Sequence, residues 1–268
     1  MNMRLDIIDR QKGSNPGGVC YILDNRECFR AYFKFCYESK IHGISTFRAA
    51  HQPIYEAITF QLARQVGLAT TDFYILLNEN RNVSFHYWTD HQFKHDPNGR
   101  NFYFVSRWLP PEQDFVRNTV PPLLQHDLPY LASLQIGDIQ RRQNYAWDIA
   151  EDGRERVIYI DLGRSFVLAA DGELKLPHKA TGYDRGLHKE AMRRLETKFL
   201  ITRRQDLVNL AEMVDGISVM KLPTLNPRCS RTLSSLLNHA EIQEIQFYVA
   251  QGLYNQLPAL QHSDLLMI

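Results

Sequence analysis

CFRAYFKFCY, residues 28–37, sets Lys34 in the middle of an aromatic, strand-like run. The turn-forming DNRE at 24–27 precedes it, and KGSNPGGVCYIL lies before that, so the first 37 residues read as β structure with a hairpin. A lysine in such a strand is costly to bury without a partner, and the plainer alternative is that it points to solvent. PIYEAITFQLARQVG, 53–67, follows as a helix. Ile54, Ala57, Ile58, Leu62 and Val66 recur at helical spacing, Pro53 suits the first turn, and Gly67 suits the stop. Glu56 sits one turn into this helix among apolar neighbours.

Further out, FYILL at 73–77 reads as a strand, and the histidine-rich stretch 78–100 as a long hairpin or loop. NFYFVSRWL, 101–109, is a buried strand ended by Pro110 and Pro111. Residues 123–136 have a helical pattern interrupted by Pro129. After Gly137 comes the polar DIQRRQN, then YAWDI and RVIYIDL as a hairpin closed by Glu151, Asp152 and Gly153. From about 184 onward the chain reads as mostly helical, with EIQEIQFYVAQGLYNQL as its last amphipathic segment. This order predicts an α+β fold of two lobes: a small β-rich one over 1–108 and a larger helical one over 109–268. The cleft between them is the expected ligand site.

Composition narrows the classes. The chain has 268 residues, 44% hydrophobic and 23% charged, an ordinary globular balance. Lysine and arginine number 31 against 30 acidic residues, which argues against nucleic-acid binding by bulk charge. No apolar run approaches a membrane span, and MNMRLDIIDRQKG lacks the apolar core of a secretory signal, so a cytoplasmic location is expected. Cys20, Cys28, Cys36 and Cys229 form no C-x-x-C pair and read as buried small hydrophobes in a reducing compartment. The ten histidines show no zinc spacing.

Four elements could carry chemistry. A strand lysine paired with a helix glutamate, here Lys34 and Glu56, is a device for holding nucleotide phosphates. Asp161 ends the run VIYI beside Leu162 and Gly163, where a carboxylate can hold Mg²⁺; an ordinary turn residue is the alternative. The stretch GDIQRRQN, 137–144, supplies one carboxylate (Asp138), two arginines and three amides, the types a phosphotransfer loop needs. A solvated polar turn is its plainer reading. The backbone amides of the turn GSNPGG, 13–18, can cover phosphates.

In order and in local motifs the chain resembles the HipA-like and phosphatidylinositol-kinase-like branch of the protein-kinase superfamily. The pieces are K-G-S-N-P-G-G-V, A-Y-F-K-F, the helix ending L-A-R-Q-V-G-L, F-V-S-R-W-L, G-D-I-Q-R-R-Q and Y-I-D-L-G-R-S-F, spanning about residues 12–170. The resemblance implies an ATP-dependent kinase acting on protein serine or threonine, using Mg²⁺ or Mn²⁺. It implies nucleotide contacts from Ser14, Gly17, Gly18, Lys34, Glu56, Val105, Ser106 and Arg107. Asp161 with Gln143 or Asn144 would hold metal, and Asp138, Arg141 and Arg142 would act at the transferred phosphoryl. Ser14 is a candidate self-phosphorylation site, and a regulatory partner protein is a further expectation. The loop departs from the pattern, because relatives place an aspartate directly before the arginine and here Gln140 stands there. A glutamine does not take up a proton as a carboxylate does. Either Asp138 is the base on a shifted loop, or the protein binds nucleotide without efficient transfer. A lipid or small-molecule kinase, and a partner-binding protein working through its last helix, are the other readings weighed.

Overall fold

The computed structural model describes residues 3–10, 16–23, 27–36, 48–65, 67–88, 96–109, 145–149, 151–153, 155–162 and 212–254. Ten strands and two α-helices of given bounds lie among them, and residues 212–216 are also α-helical. The strands are β1 (Met3–Arg10), β2 (Gly17–Leu23), β3 (Cys28–Lys34), β4 (Phe73–Leu77) and β5 (Val83–Tyr87). Then come β6 (Phe102–Arg107), β7 (Tyr145–Ile149), β8 (Glu155–Tyr159), β9 (Lys221–Leu225) and β10 (Cys229–Thr232). The helices are α1 (Gln52–Gln65) and α2 (His239–Tyr254). Among the described residues, eight strands form one sheet in the order β10-β9-β4-β6-β3-β2-β1-β5, and β7 and β8 form a separate hairpin.

Side-chain alternation splits the large sheet into two faces. Leu5, Ile7, Cys20, Ile22, Phe29, Ala31, Phe33, Tyr103 and Val105 fill one core. The ring of Phe85 in β5 lies 5.8 Å from Phe33 and 5.3 Å from Tyr103, centre to centre. Three strands separate β5 from β6 in the sheet order, so the sheet curls until its edge meets its middle. The inherited right-handed twist, with a register shift between Ile7 and Asp9 of β1, accounts for that curl.

The opposite face is covered by helices. Phe60 of α1 packs 5.3 Å from Phe73 and 5.0 Å from Phe104. Ile242, Ile245, Tyr248 and Val249 of α2 join the same core, as do Tyr145, Val157 and Tyr159 of the β7–β8 hairpin. The amphipathic stripe of α2 is therefore core packing. Gly67, at φ +83°, ends α1 in the left-handed region, and its N–H donates to the Arg64 carbonyl.

Some expectations are corrected. Residues 221–232 form a β-hairpin rather than helix, and β9 runs parallel to β4. The large sheet thus draws on both sides of the 108/109 boundary that the sequence suggests. Pro223 speaks against an inner strand, yet β9 pairs with β4 only through Thr224 and Leu225, beyond that proline. Cys20 and Cys36 are buried as expected, but Cys28 and Cys229 are exposed, and none of the four forms a disulfide. The helical stretch read at 123–136 lies outside the described residues. No helix among the described residues is long and apolar enough to cross a membrane.

Gly17 pairs with Lys34, and a Cβ there would lie 2.1 Å from the Phe33 carbonyl oxygen. That neighbour is backbone and has no rotamer to escape into. Gly17→Ala is expected to cost about 1–3 kcal/mol, the size of an overpacked core site. The measurement is the urea midpoint at constant slope; a wild-type midpoint would mean β2 and β3 part more easily than this contact allows.

Candidate functional site

Phe29, Ala31 and Phe33 point into the all-strand core, so alternation aims Lys34 to the face that α1 covers. Lys34 is 6% exposed, which rules out the solvent-facing alternative. Its Nζ donates to Glu56 Oε1 at 2.6 Å and to Asp161 Oδ1 at 2.8 Å. Glu56 is buried, and the Asp161 side chain is 43% exposed. The lysine and glutamate paired in the sequence and the separately noted Asp161 therefore meet at one amine.

The backbone explains how Asp161 arrives there. The Tyr159 N–H donates to the Ala69 carbonyl, and the Thr71 N–H donates to the Tyr159 carbonyl, at 2.9 and 3.1 Å. The end of β8 is thereby fixed to the segment joining α1 to β4. Arg64 of α1 reaches the same segment, donating to Thr70 Oγ1 at 2.7 Å and to the Thr71 carbonyl at 2.9 Å. Glu56 and Asp161 are thus positioned from one short stretch of chain.

Two carboxylates face one ammonium, an excess of one negative charge when all are ionised. Burial pushes Glu56 up to about 7; Lys34 opposes that rise and Asp161 adds to it. Burial also works against the Lys34 charge, but Asp161 and Glu56 outweigh it and hold its pKa above the ordinary lysine value. The two carboxylates thus favour the ammonium form of Lys34, and burial makes the ionised state of Glu56 the harder of its two to keep.

The other expected residues divide. Gly17 and Gly18 lie in β2 beside Lys34 and Phe33 of β3, and the Phe35 N–H donates to the Pro16 carbonyl at 3.0 Å. Ser106 is buried opposite Tyr32 and Phe73, and by alternation with Phe104 shares the Lys34 face. Val105 turns into the all-strand core. Arg107 also turns that way, its guanidinium 4.9 Å from the Phe29 ring and 3.6 Å from Glu27. Ser14, Asp138, Gln140, Arg141, Arg142, Gln143 and Asn144 lie outside the described residues. Among the described residues no three His, Cys, Asp or Glu side chains form a metal-binding group.

One buried cluster escaped the sequence reading. Glu241 is fully buried; its Oε1 accepts from the Tyr55 hydroxyl at 2.6 Å and lies 2.7 Å from His51 Nδ1. Its Oε2 accepts from Asn238 Nδ2 at 2.7 Å, while its own N–H donates to Asn238 Oδ1 at 2.9 Å. Burial alone would raise the Glu241 pKa, but the bonds from His51 and Tyr55 bring it below the ordinary value. N-H-A-E, 238–241, is a capping box, a signal legible in the sequence.

No family model matches the chain, and no curated protein does. Among solved structures it is similar to the proinflammatory kinase CtkA of Helicobacter pylori, at 8% identity and a TM-score of 0.32. The match covers 98% of this chain and 88% of that one. A likeness this loose carries no argument about fold or function.

The raised pKa of Glu56 has a definite sign in stability. The folded chain keeps a proton that the unfolded chain gives up, so the contribution is complete below about pH 4.3 and is lost as pH rises through about 7. The wild-type urea midpoint should fall, relative to that of Glu56→Gln, between about pH 5 and about pH 8. Parallel profiles for the two proteins would show that Glu56 does not titrate in that window.

Proposed function

We propose that the chain is an ATP-dependent phosphotransferase of the protein-kinase-like type, acting on serine or threonine of proteins. The observation that supports this reading is the Lys34 ammonium held at 2.6 Å by a helix glutamate and at 2.8 Å by a strand-end aspartate. A buried amine whose charged form is favoured by two carboxylates, one of them half-exposed, is suited to a polyanion. A phosphate oxygen takes the place of Asp161 at Nζ, while Glu56 keeps the amine in position.

Asp161 then offers hard carboxylate oxygens beside the phosphates, which fits Mg²⁺ or Mn²⁺, since Mg²⁺ commonly takes one or two carboxylates plus phosphate and water. Asp161 with Gln143 or Asn144 would hold the ion, whose chemistry is to neutralise charge on the phosphates. Asp138 accepts the proton of the substrate hydroxyl as its oxygen bonds to the γ-phosphorus. The bond from that phosphorus to the bridging oxygen breaks, and ADP leaves. Arg141 and Arg142 offset the charge that develops, and the backbone of 105–107 lines the adenine side. A second reading, nucleotide binding without transfer, is favoured by Gln140 standing where related loops carry aspartate.

Thermal shift with ATP, with and without Mg²⁺, tests the site. A metal-dependent rise in Tm is expected for wild type and should be lost in a folded Asp161→Asn variant. No rise in wild type would remove the reading. Transfer from labelled ATP to protein tests the chemistry. Asp138→Ala should lower turnover about 10²–10⁴-fold with nucleotide affinity nearly unchanged. A silent wild type that gains transfer on Gln140→Asp would favour the second reading.

A further inference from the structure

We infer that Glu241 is a positioning residue for the Lys34 site, acting through Tyr55 to set the rotation of α1. Successive helix residues are turned by about 100°, so whatever fixes Tyr55 about the helix axis also fixes Glu56. The Tyr55 hydroxyl accepts from the Arg48 N–H at 3.0 Å and donates to Glu241 at 2.6 Å. It both donates and accepts, and its ring is buried. Glu241 is itself immobile, because its second oxygen and its N–H are taken by Asn238 in the capping box. His51, next to the helix start, holds the same Oε1. The far end of α1 is fixed separately, by Arg64 on Thr70 and Thr71.

The first two turns, which carry Glu56, are therefore oriented from a helix about 190 positions later in the chain. A carboxylate buried there is costly unless fully hydrogen-bonded, and it is bonded from three residues. Apolar contacts hold helices together but tolerate small rotations. The Tyr55–Glu241 bond is directional and does not. A rotation that loses it also draws Glu56 away from Lys34, uncovering the amine. The consequence for nucleotide rests on the phosphotransferase reading; the link between Glu241 and Lys34 does not.

The test uses the full chain with Tyr55→Phe, Glu241→Gln and both together, against Ile245→Val, which trims the packing of α2 without touching the link. Two quantities are read: acylation of the Lys34 amine by an N-hydroxysuccinimide ester, followed by peptide mass spectrometry, and Kd for ATP with Mg²⁺. Both link variants should label Lys34 faster than Ile245→Val does and weaken nucleotide binding about tenfold, the scale of one charge-assisted hydrogen bond. The double variant should be no worse than the worse single one, since Tyr55→Phe removes the donor of the same bond whose acceptor Glu241→Gln deprives of its charge. Tyr55→Phe keeps the ring and guards against a Glu241→Gln variant that fails to fold. Labelling in the link variants equal to that of Ile245→Val would overturn the inference, whatever nucleotide does. Faster labelling in a protein whose wild type binds no ATP would uphold the link and remove the function reading alone.

Discussion

A charged amine buried beneath a helix has to be neutralised where it sits, and Lys34 imposes that demand on everything around it. The sheet brings Lys34 under α1 through side-chain alternation, with Gly17 close enough on the neighbouring strand to exclude any side chain there. Two carboxylates answer that demand, Glu56 from α1 and Asp161 from beyond β8, one more than neutralisation alone needs. Replacing such a lysine alone would leave a buried carboxylate uncompensated, a change that typically costs about 3–5 kcal/mol. A triad of this kind is a poor source of stability and a good way of specifying one arrangement of elements.

That arrangement is enforced by contacts that are far apart in sequence. The β8 end docks on residues 69–71, β9 lies along β4, and the cap of α2 grips the start of α1. Each of these touches α1, the strand that follows it or the segment between them. Glu56 is consequently placed by three independent supports, each of them hydrogen-bonded and directional. The apolar core on this face fills the space between them, and the Phe104 ring lies 5.9 Å from the Lys34 Nζ.

Much of this was legible residue by residue. FYILL reads as a strand and is β4, and YAWDI and RVIYIDL read as a hairpin whose strands are β7 and β8. The helix from Pro53 was visible in its apolar spacing, and Lys34, Glu56 and Asp161 stood out as charged residues in apolar settings. Which face Lys34 takes was not legible from β3 alone, because Tyr32 and Phe33 make both faces aromatic. The β1–β5 pairing joins Leu5 to Phe85 across a polar stretch without periodicity, and no local signal specifies it. Two prolines obscured the β9–β10 hairpin, and starting α2 at Glu241 hid the cap formed by Asn238. Whatever depended on a distant partner stayed silent, since a side chain advertises its burial but not its neighbour.

The curled sheet has a consequence for how the chain reaches this state. Its inner strands are contributed early, but β9 is added to β4 only after some 145 further residues have been made. Until Asp161 and Glu241 emerge, a nascent chain has Lys34 and Glu56 alone, and the open side of β4 offers unpaired backbone amides and carbonyls. Such an edge is a template for the wrong partner, and the ordering of distant segments slows its closure. The sheet edge along β4 and the charge cluster around Lys34 are thus both completed by segments that follow residue 160.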